Sequence, residues 1–174
     1  MGVLKAVVLV SAVGLLAACS LPHTSQPLLT AKKSEVVYER YDFAPVRVKD
    51  GDTIEGKITQ SGTLHFPDSD TTVTLSIVDA VRLDGLNTPE SGGRERCPKE
   101  LALATAAKAF VAKQLEGRHS IVLVTRQGNE REKFGRVLGD LDLDGQSLRA
   151  LLIGGGYADV YDGGYRDPMR WCQN

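Results

Sequence analysis

Three short stretches of this chain hold polar side chains that a hydrophobic core does not need: Asp50-Gly51-Asp52-Thr53, Arg82 through Asn87-Thr88-Pro89-Glu90, and Lys133-Phe134-Gly135-Arg136. Carboxylate and amide oxygens, with backbone carbonyls, are the donors that a hard cation such as calcium takes. A carboxylate can also hold or deprotonate an attacking water, which typically contributes about 10² to 10⁴ in rate. The planar guanidinium fork makes paired hydrogen bonds to phosphate that a Lys cannot. Together these are the needs of phosphodiester hydrolysis: a cation on a phosphoryl oxygen, a positioned water, and cationic donors for the charge that builds up. Singly, each stretch has a plainer reading. Asp-Gly-Asp is what a hairpin turn requires; Asn87-Thr88-Pro89-Glu90 also suits a helix start or a Pro-containing turn, and Arg136 a solvated strand end.

The elements that must position these residues come from an ordinary globular composition. The chain has 174 residues, 42% apolar and 25% charged, with 18 Gly and 7 Pro, which suits one domain and excludes a disordered or collagen-like polymer. Lys and Arg number 21 against 22 Asp and Glu. No strongly basic surface exists to grip nucleic acid without regard to site, so any such site must be local.

The N-terminus reads as an export signal. Lys5 precedes an uncharged run from Ala6 to Ala18, too short to span a bilayer at about 20 residues. The run ends Leu16-Ala17-Ala18-Cys19, which resembles the lipobox of bacterial lipoproteins, implying cleavage after residue 18 and acylation of Cys19. Ordinary cleavage after small residues, with Cys19 a spectator, is the alternative. Ser20 after the Cys favours, by analogy, the outer membrane of a Gram-negative host, on its periplasmic face. Residues 19–40 then form a lipidated tether, rich in Ser, Thr, Pro and Gln in its first half, and 41–174 the folded domain. His23 has no expected role. In an oxidising compartment the remaining pair, Cys97 and Cys172, is expected to form a disulfide; neither has the clustered Cys or His of a zinc site.

Within the domain, Val46 and Val48 alternate with charged residues, the Asp50-Gly51-Asp52 turn follows, and Thr53 to Thr59 resumes an extended pattern: a hairpin. Val73, Leu75 and Ile77 predict a half-buried strand continuing to Leu83, with a bulge near Val78-Asp79. Pro98 to Leu115 predicts a helix, with Leu103, Ala107, Phe110, Val111 and Leu115 on one stripe, Pro at the first position and Gly117 beyond the end. Ile121 to Thr125 and Val137 to Leu143 follow as strands, and Ser147 to Ile153 as a shorter helix stopped by three glycines. Three strands, a helix, two strands and a helix do not make a doubly wound parallel sheet. The expected class is mainly β with α (α+β), a five-stranded oligonucleotide-binding barrel with attached helices.

Val48-Lys49-Asp50-Gly51-Asp52-Thr53-Ile54, Val81-Arg82-Leu83-Asp84-Gly85-Leu86-Asn87-Thr88-Pro89-Glu90, and Glu132-Lys133-Phe134-Gly135-Arg136 with Leu138 resemble, in order and spacing, the signature blocks of the staphylococcal nuclease (thermonuclease) family. The likeness runs from about Val46 to Tyr161. It implies calcium-dependent hydrolysis of DNA, with RNA as a further substrate class. Asp52, Asn87 and the carbonyl of Thr88 occupy the family's metal-ligand positions. Glu90 matches the carboxylate that orients or deprotonates water, and Arg82 and Arg136 match the two phosphate-binding arginines. Lys133 and Phe134 align with positions flanking the bound nucleotide; Phe134 serves either packing or base stacking, and lacks the hydroxyl often found there. Asn87 is the departure. The family's usual residue there is a second Asp, so one negative charge is missing and calcium binding is expected to weaken. Asp84, which shares strand parity with Arg82, is the candidate to supply it.

Asp140-Leu141-Asp142-Leu143-Asp144-Gly145 imitates the start of a helix-loop-helix calcium loop, but Leu151 stands where the bidentate Glu is required. Alternation instead puts Leu141 and Leu143 inward, with a turn at Asp144-Gly145. His65 and His119 lack a partner pattern. The expected protein is a monomeric, exported nuclease, held to the membrane through Cys19. A non-hydrolytic nucleic-acid-binding module on the same barrel, and a structural envelope lipoprotein, are the alternatives. Pure binding would need the arginines but not Glu90.

Overall fold

A computed structural model describes residues 37–128 and 131–173. The expected signal, the expected lipidation of Cys19 and most of the expected tether fall outside the described residues. Strand β1 (Tyr38–Asp50) turns through Gly51-Asp52 into β2 (Thr53–His65), with Asp50 facing Thr53. Strand β3 (Asp70–Leu83) pairs with β2 along its whole length, from Thr53 opposite Arg82 to His65 opposite Asp70. A two-residue strand β4 (Leu86–Asn87) leads to the Pro89-Glu90 loop and helix α1 (Pro98–Leu115). Strands β5 (Ile121–Arg126), β6 (Val137–Leu143) and β7 (Gln146–Ser147), helix α2 (Leu148–Gly154) and strand β8 (Asp159–Val160) complete the order.

The sheet runs β3-β2-β1-β5-β6, and β6 pairs in parallel with β3 through Val81–Val137, Arg82–Leu138 and Leu83–Gly139. That last pairing closes five strands into a ring, the oligonucleotide-binding type of barrel, and closure leaves few free edges. Inside lie Phe43, Ile54, Ile58, Val81, Leu83, Leu123, Leu141 and Leu143, capped by Val111 of α1 and by Leu148 and Leu152 of α2. Burying each such side chain stabilises by about 1.5–3 kcal/mol.

The local chemistry explains the boundaries. Pro98 opens α1, Cys97 caps it by accepting from the Glu100 N–H at 3.4 Å, and Gly117 follows the helix at φ 67°. Ser147 Oγ accepts from Ala150 N–H at 3.0 Å and starts α2. Asp144 and Gly145 take positive φ, 53° and 88°, between β6 and β7, which keeps Leu141 and Leu143 fully inward.

Four expectations change. The fold takes in residues 38–40 of the stretch read as tether, because Tyr38, Glu39 and Arg40 pair with Arg126, Thr125 and Val124 of β5. No bulge occurs near Val78-Asp79; the register shifts lie in β1, between Pro45 and Arg47 and between Val48 and Asp50. Pro45 cannot donate to a ladder, and β1 must curl to serve both β2 and β5. Val73, Leu75 and Ile77 are exposed rather than half-buried: Val73 and Leu75 lie past the last β1–β2 pair, Asp42–Thr59, and Ile77, opposite Ile58, is exposed within the paired stretch. The buried stripe of α1 consists of Glu100, Ala104, Ala107 and Val111, with Leu103, Phe110 and Leu115 half-covered beside it.

Candidate functional site

The three polar stretches converge at one end of the ring. The β1–β2 turn carries Asp50 and Asp52, the end of β3 carries Arg82, β4 and its following loop carry Asn87 to Glu90, and the entry to β6 carries Arg136. Asp52, Arg82, Thr88, Glu90, Lys133, Phe134 and Arg136 all line a cleft of about 1010 Å³. Gly51 lets the turn approach the rest of the site closely. A Cβ there would lie 2.9 Å from the Ala107 Cβ of α1 and 3.1 Å from Thr88 Cβ.

A chain of polar contacts runs across the floor. The Arg82 guanidinium pairs with the Asp52 carboxylate and also donates to the Leu86 carbonyl at 3.3 Å. Thr53, 2% exposed, donates to Asp52 Oδ1 at 2.9 Å and accepts from Arg136 Nη1 at 2.8 Å. Arg136 Nε in turn bonds Glu132 Oε1 at 2.9 Å. Burial pushes the Asp52 carboxyl up to about 6 against the opposing pull of Arg82. Burial also pushes Glu132 up, but its hydrogen bonds from Arg136 and from the Phe134 and Arg136 N–H groups prevail and hold it below the ordinary value.

Glu90 is placed by a buried carboxylate. Glu100, 2% exposed on the third position of α1, accepts from the Glu90 N–H at 3.2 Å and from the Arg96 N–H at 2.6 Å, so the helix start fixes both ends of the loop that carries Glu90. The Glu90 carboxylate itself accepts from Arg94 Nε at 2.9 Å in an exposed pair.

Asn87 pairs through its backbone with Asp159 of β8, and its side-chain oxygen accepts from the Arg166 guanidinium. The oxygen set suits calcium in part. Asp50, Asp52 and Thr88 are hard donors lining the cleft, and the raised Asp52 carboxyl is an acid whose charge a cation would stabilise. Asn87 Oδ1 is instead engaged by an arginine. Among the described residues no group of three or more His, Cys, Asp or Glu stands at metal-binding spacing. Asp84 lies 3.7 Å from Arg126 Nη2; the acid that acts on Asp52 is Asp50, which accepts from the Asp52 N–H at 3.3 Å.

Lys133 Nζ lies 4.9 Å from the centre of the Phe134 ring, and Arg136 approaches it at 5.8 Å. At 72% exposure Phe134 is not a core residue, and its ring contacts are these two cations. Cys97 is bonded to Cys172 with a Cα–Cα distance of 6.0 Å, tying the start of α1 to the C-terminal tail. Sequence reasoning missed Thr53, Glu100, Tyr161 and Arg166. A Glu two residues after Pro98, at the third position of the helix, was a visible signal for Glu100; only the Cys97–Cys172 pairing hinted that the tail returns to the cleft.

Residues 80–170 match the staphylococcal nuclease homologue family. An uncharacterized protein of Bacillus anthracis is 32% identical over 117 residues, 66% of this chain and 50% of that relative; the chain therefore spans about half the length of the curated relative it matches. The family match takes in Arg82, Asn87, Glu90, Arg136 and Arg166, on the barrel described above. The chain belongs to the staphylococcal nuclease homologue family.

Proposed function

We propose that this protein is an exported, metal-dependent nuclease that hydrolyses phosphodiester bonds of DNA, with RNA as a further substrate, and that acylation of Cys19 holds it at the membrane. The carrying observation is that Glu90, Arg82 and Arg136 open on one cleft whose floor is the Asp52 carboxylate. Glu90 accepts a proton from water as the water oxygen attacks phosphorus, and the ester P–O bond breaks with its leaving oxygen taking a proton from solvent. Arg82 and Arg136 donate to the phosphoryl oxygens where charge accumulates. Calcium held by Asp52, with Asp50 and the Thr88 carbonyl, would supply further positive charge at a phosphoryl oxygen. Arg94 must leave Glu90 first, and an exposed pair of this kind is worth only about 0.2–1 kcal/mol.

Incubation of the purified protein with plasmid or RNA, with calcium or with chelator, tests this. Glu90→Gln should slow turnover by about 10²-fold or more while nucleic-acid binding persists; undiminished cleavage removes Glu90 from the mechanism. Arg82→Ala and Arg136→Ala should each lose about 10²-fold. Engagement of Asn87 and Glu90 by arginines favours a second reading, a non-hydrolytic nucleic-acid-binding module. It predicts binding with no cleavage under any of these conditions.

A further inference from the structure

After β8 the chain runs along the cleft, which Tyr161 and Arg166 line. This tail is anchored at both ends. Near its start the Tyr161 N–H donates to the Gly85 carbonyl at 3.0 Å. At its end Cys172 is bonded to Cys97, Arg170 grips both oxygens of Asp159 at 3.0 and 2.8 Å, and Lys99 donates to the Gln173 carbonyl. Arg166 sits between these anchors. Its guanidinium lies 5.3 Å from the Tyr161 ring centre, donates through Nη1 to Asn87 Oδ1, and stands 3.7 Å from Glu90 Oε1.

Arg166 spends little of its donor fork, as do Arg126 and Arg149 of the same cleft, but of these three it is the one that stands beside Glu90 and is oriented by an amide oxygen. Arg82 is committed to Asp52 and the Leu86 carbonyl, and Arg136 to Glu132 and Thr53. Among the described residues, Arg166 Nε and Nη2 donate to no protein atom, and 45% of the side chain is exposed. A fork held at one corner and open at the others is suited to paired hydrogen bonds with phosphate oxygens. Asn87 contributes by being neutral. A carboxylate at position 87 would add a second negative charge beside the guanidinium, next to Glu90, whereas the amide oxygen orients it without adding one.

We propose that Arg166 is a third phosphate-binding residue, contacting a phosphodiester group of the substrate strand on the Glu90 side of the cleft, with Asn87 as its positioning residue and the disulfide-anchored tail as its support. This rests on the nuclease reading above. It also accounts for the amide at position 87, which the family resemblance leaves unexplained.

The test is binding of a fluorescein-labelled single-stranded oligodeoxynucleotide to the full chain in chelator, by anisotropy over a range of salt. Arg166→Ala should weaken binding about tenfold and reduce the slope of log affinity against log salt by about 0.7, the value for one phosphate contact on a single strand, with the thermal midpoint unchanged. Arg166→Lys should keep the slope but recover only part of the affinity, since it keeps the charge and loses the fork. Asn87→Asp should also weaken binding in chelator. Arg166→Ala affinity within about twofold of the parent at an unchanged slope overturns the proposal, as does tighter binding by Asn87→Asp. A parent protein that neither binds nor cleaves overturns the nuclease reading and the proposal together; a parent that does both while Arg166→Ala matches it overturns the proposal alone.

Discussion

Strands β2 and β3 form one hairpin with two unlike halves. Near the turn with β1, Ile54, Val81 and Leu83 are fully buried, Arg82 lines the cleft, and buried Thr53 bonds Arg136 behind it. Farther out the register continues unbroken, yet Val73 and Leu75 are 36% and 69% exposed. The alternation of side chains is the same in both halves. What changes is the neighbourhood: the near half has β1 and β6 on its edges and α1 and α2 across its inner face. The far half has β3 paired to β2 alone, beyond the last β1–β2 pair, Asp42–Thr59, and Thr59–Ser76 and Ser61–Thr74 contacts at 3.2 and 2.8 Å brace its other face. A period of two announces a face; only a third element decides whether that face is buried.

The largest expected effect belongs to the covalent anchor behind the near half. Replacing Cys97 and Cys172 together with Ala should lower unfolding free energy by about 4 kcal/mol in the chain-entropy view, since the bond closes a separation of 75 residues. Urea denaturation measures it. A loss under about 1 kcal/mol would mean that non-covalent contacts already hold the tail. Next comes a matched pair of truncations. Ile54→Ala, in the near half, should cost about 2–5 kcal/mol, and Leu75→Ala, in the far half, no more than about 0.5 kcal/mol. Comparable losses would break the distinction between the halves.

That pair also marks where sequence reading succeeds and where it stops. The turn at Gly51, the start of α1 at Pro98 and the span of β6 were legible because each depends on local backbone chemistry. So was the grouping of Asp52, Arg82, Glu90 and Arg136, carried by three spaced blocks. The exposure of Leu75 was not, because burial depends on an element remote in sequence. Thr53 sat within a recognised block, but its bridge from Asp52 to Arg136 spans 83 positions. Arg166 lay outside every block, and the disulfide brings its segment back to Asn87.

Gly51 probes the near half sterically. Its substitution by Ala would set a methyl group 2.9 Å from Ala107 Cβ and 3.1 Å from Thr88 Cβ, in a place where neither neighbour is the free end of a flexible chain. Overpacking of this kind costs about 1–3 kcal/mol. The turn would have to lift and carry Asp52 with it, so the cleavage proposed above should fall further than stability alone explains. A stable Gly51→Ala variant with full activity would show that the cleft floor is softer than its packing.

Gly62 supplies the counterpart in the far half, and the smallest effect. It stands in β2 opposite Val73 of β3, and a Cβ built there meets no heavy atom within 4 Å. Glycine within a strand is less stable than Ala by about 0.5–1 kcal/mol, because the unfolded chain has more freedom to lose. Gly62→Ala should therefore slow amide exchange along Gln60–Leu64 and Thr72–Leu75. Whether global stability also rises depends on how the halves are coupled. If the far half opens on its own before the ring unfolds, its local gain leaves the urea midpoint unchanged; if the hairpin opens only with the ring, the midpoint rises by the same amount. Exchange and denaturation measured on one variant separate these outcomes. Destabilisation by Gly62→Ala would contradict the open surroundings of this position and bring the far half under the same packing rules as the near one.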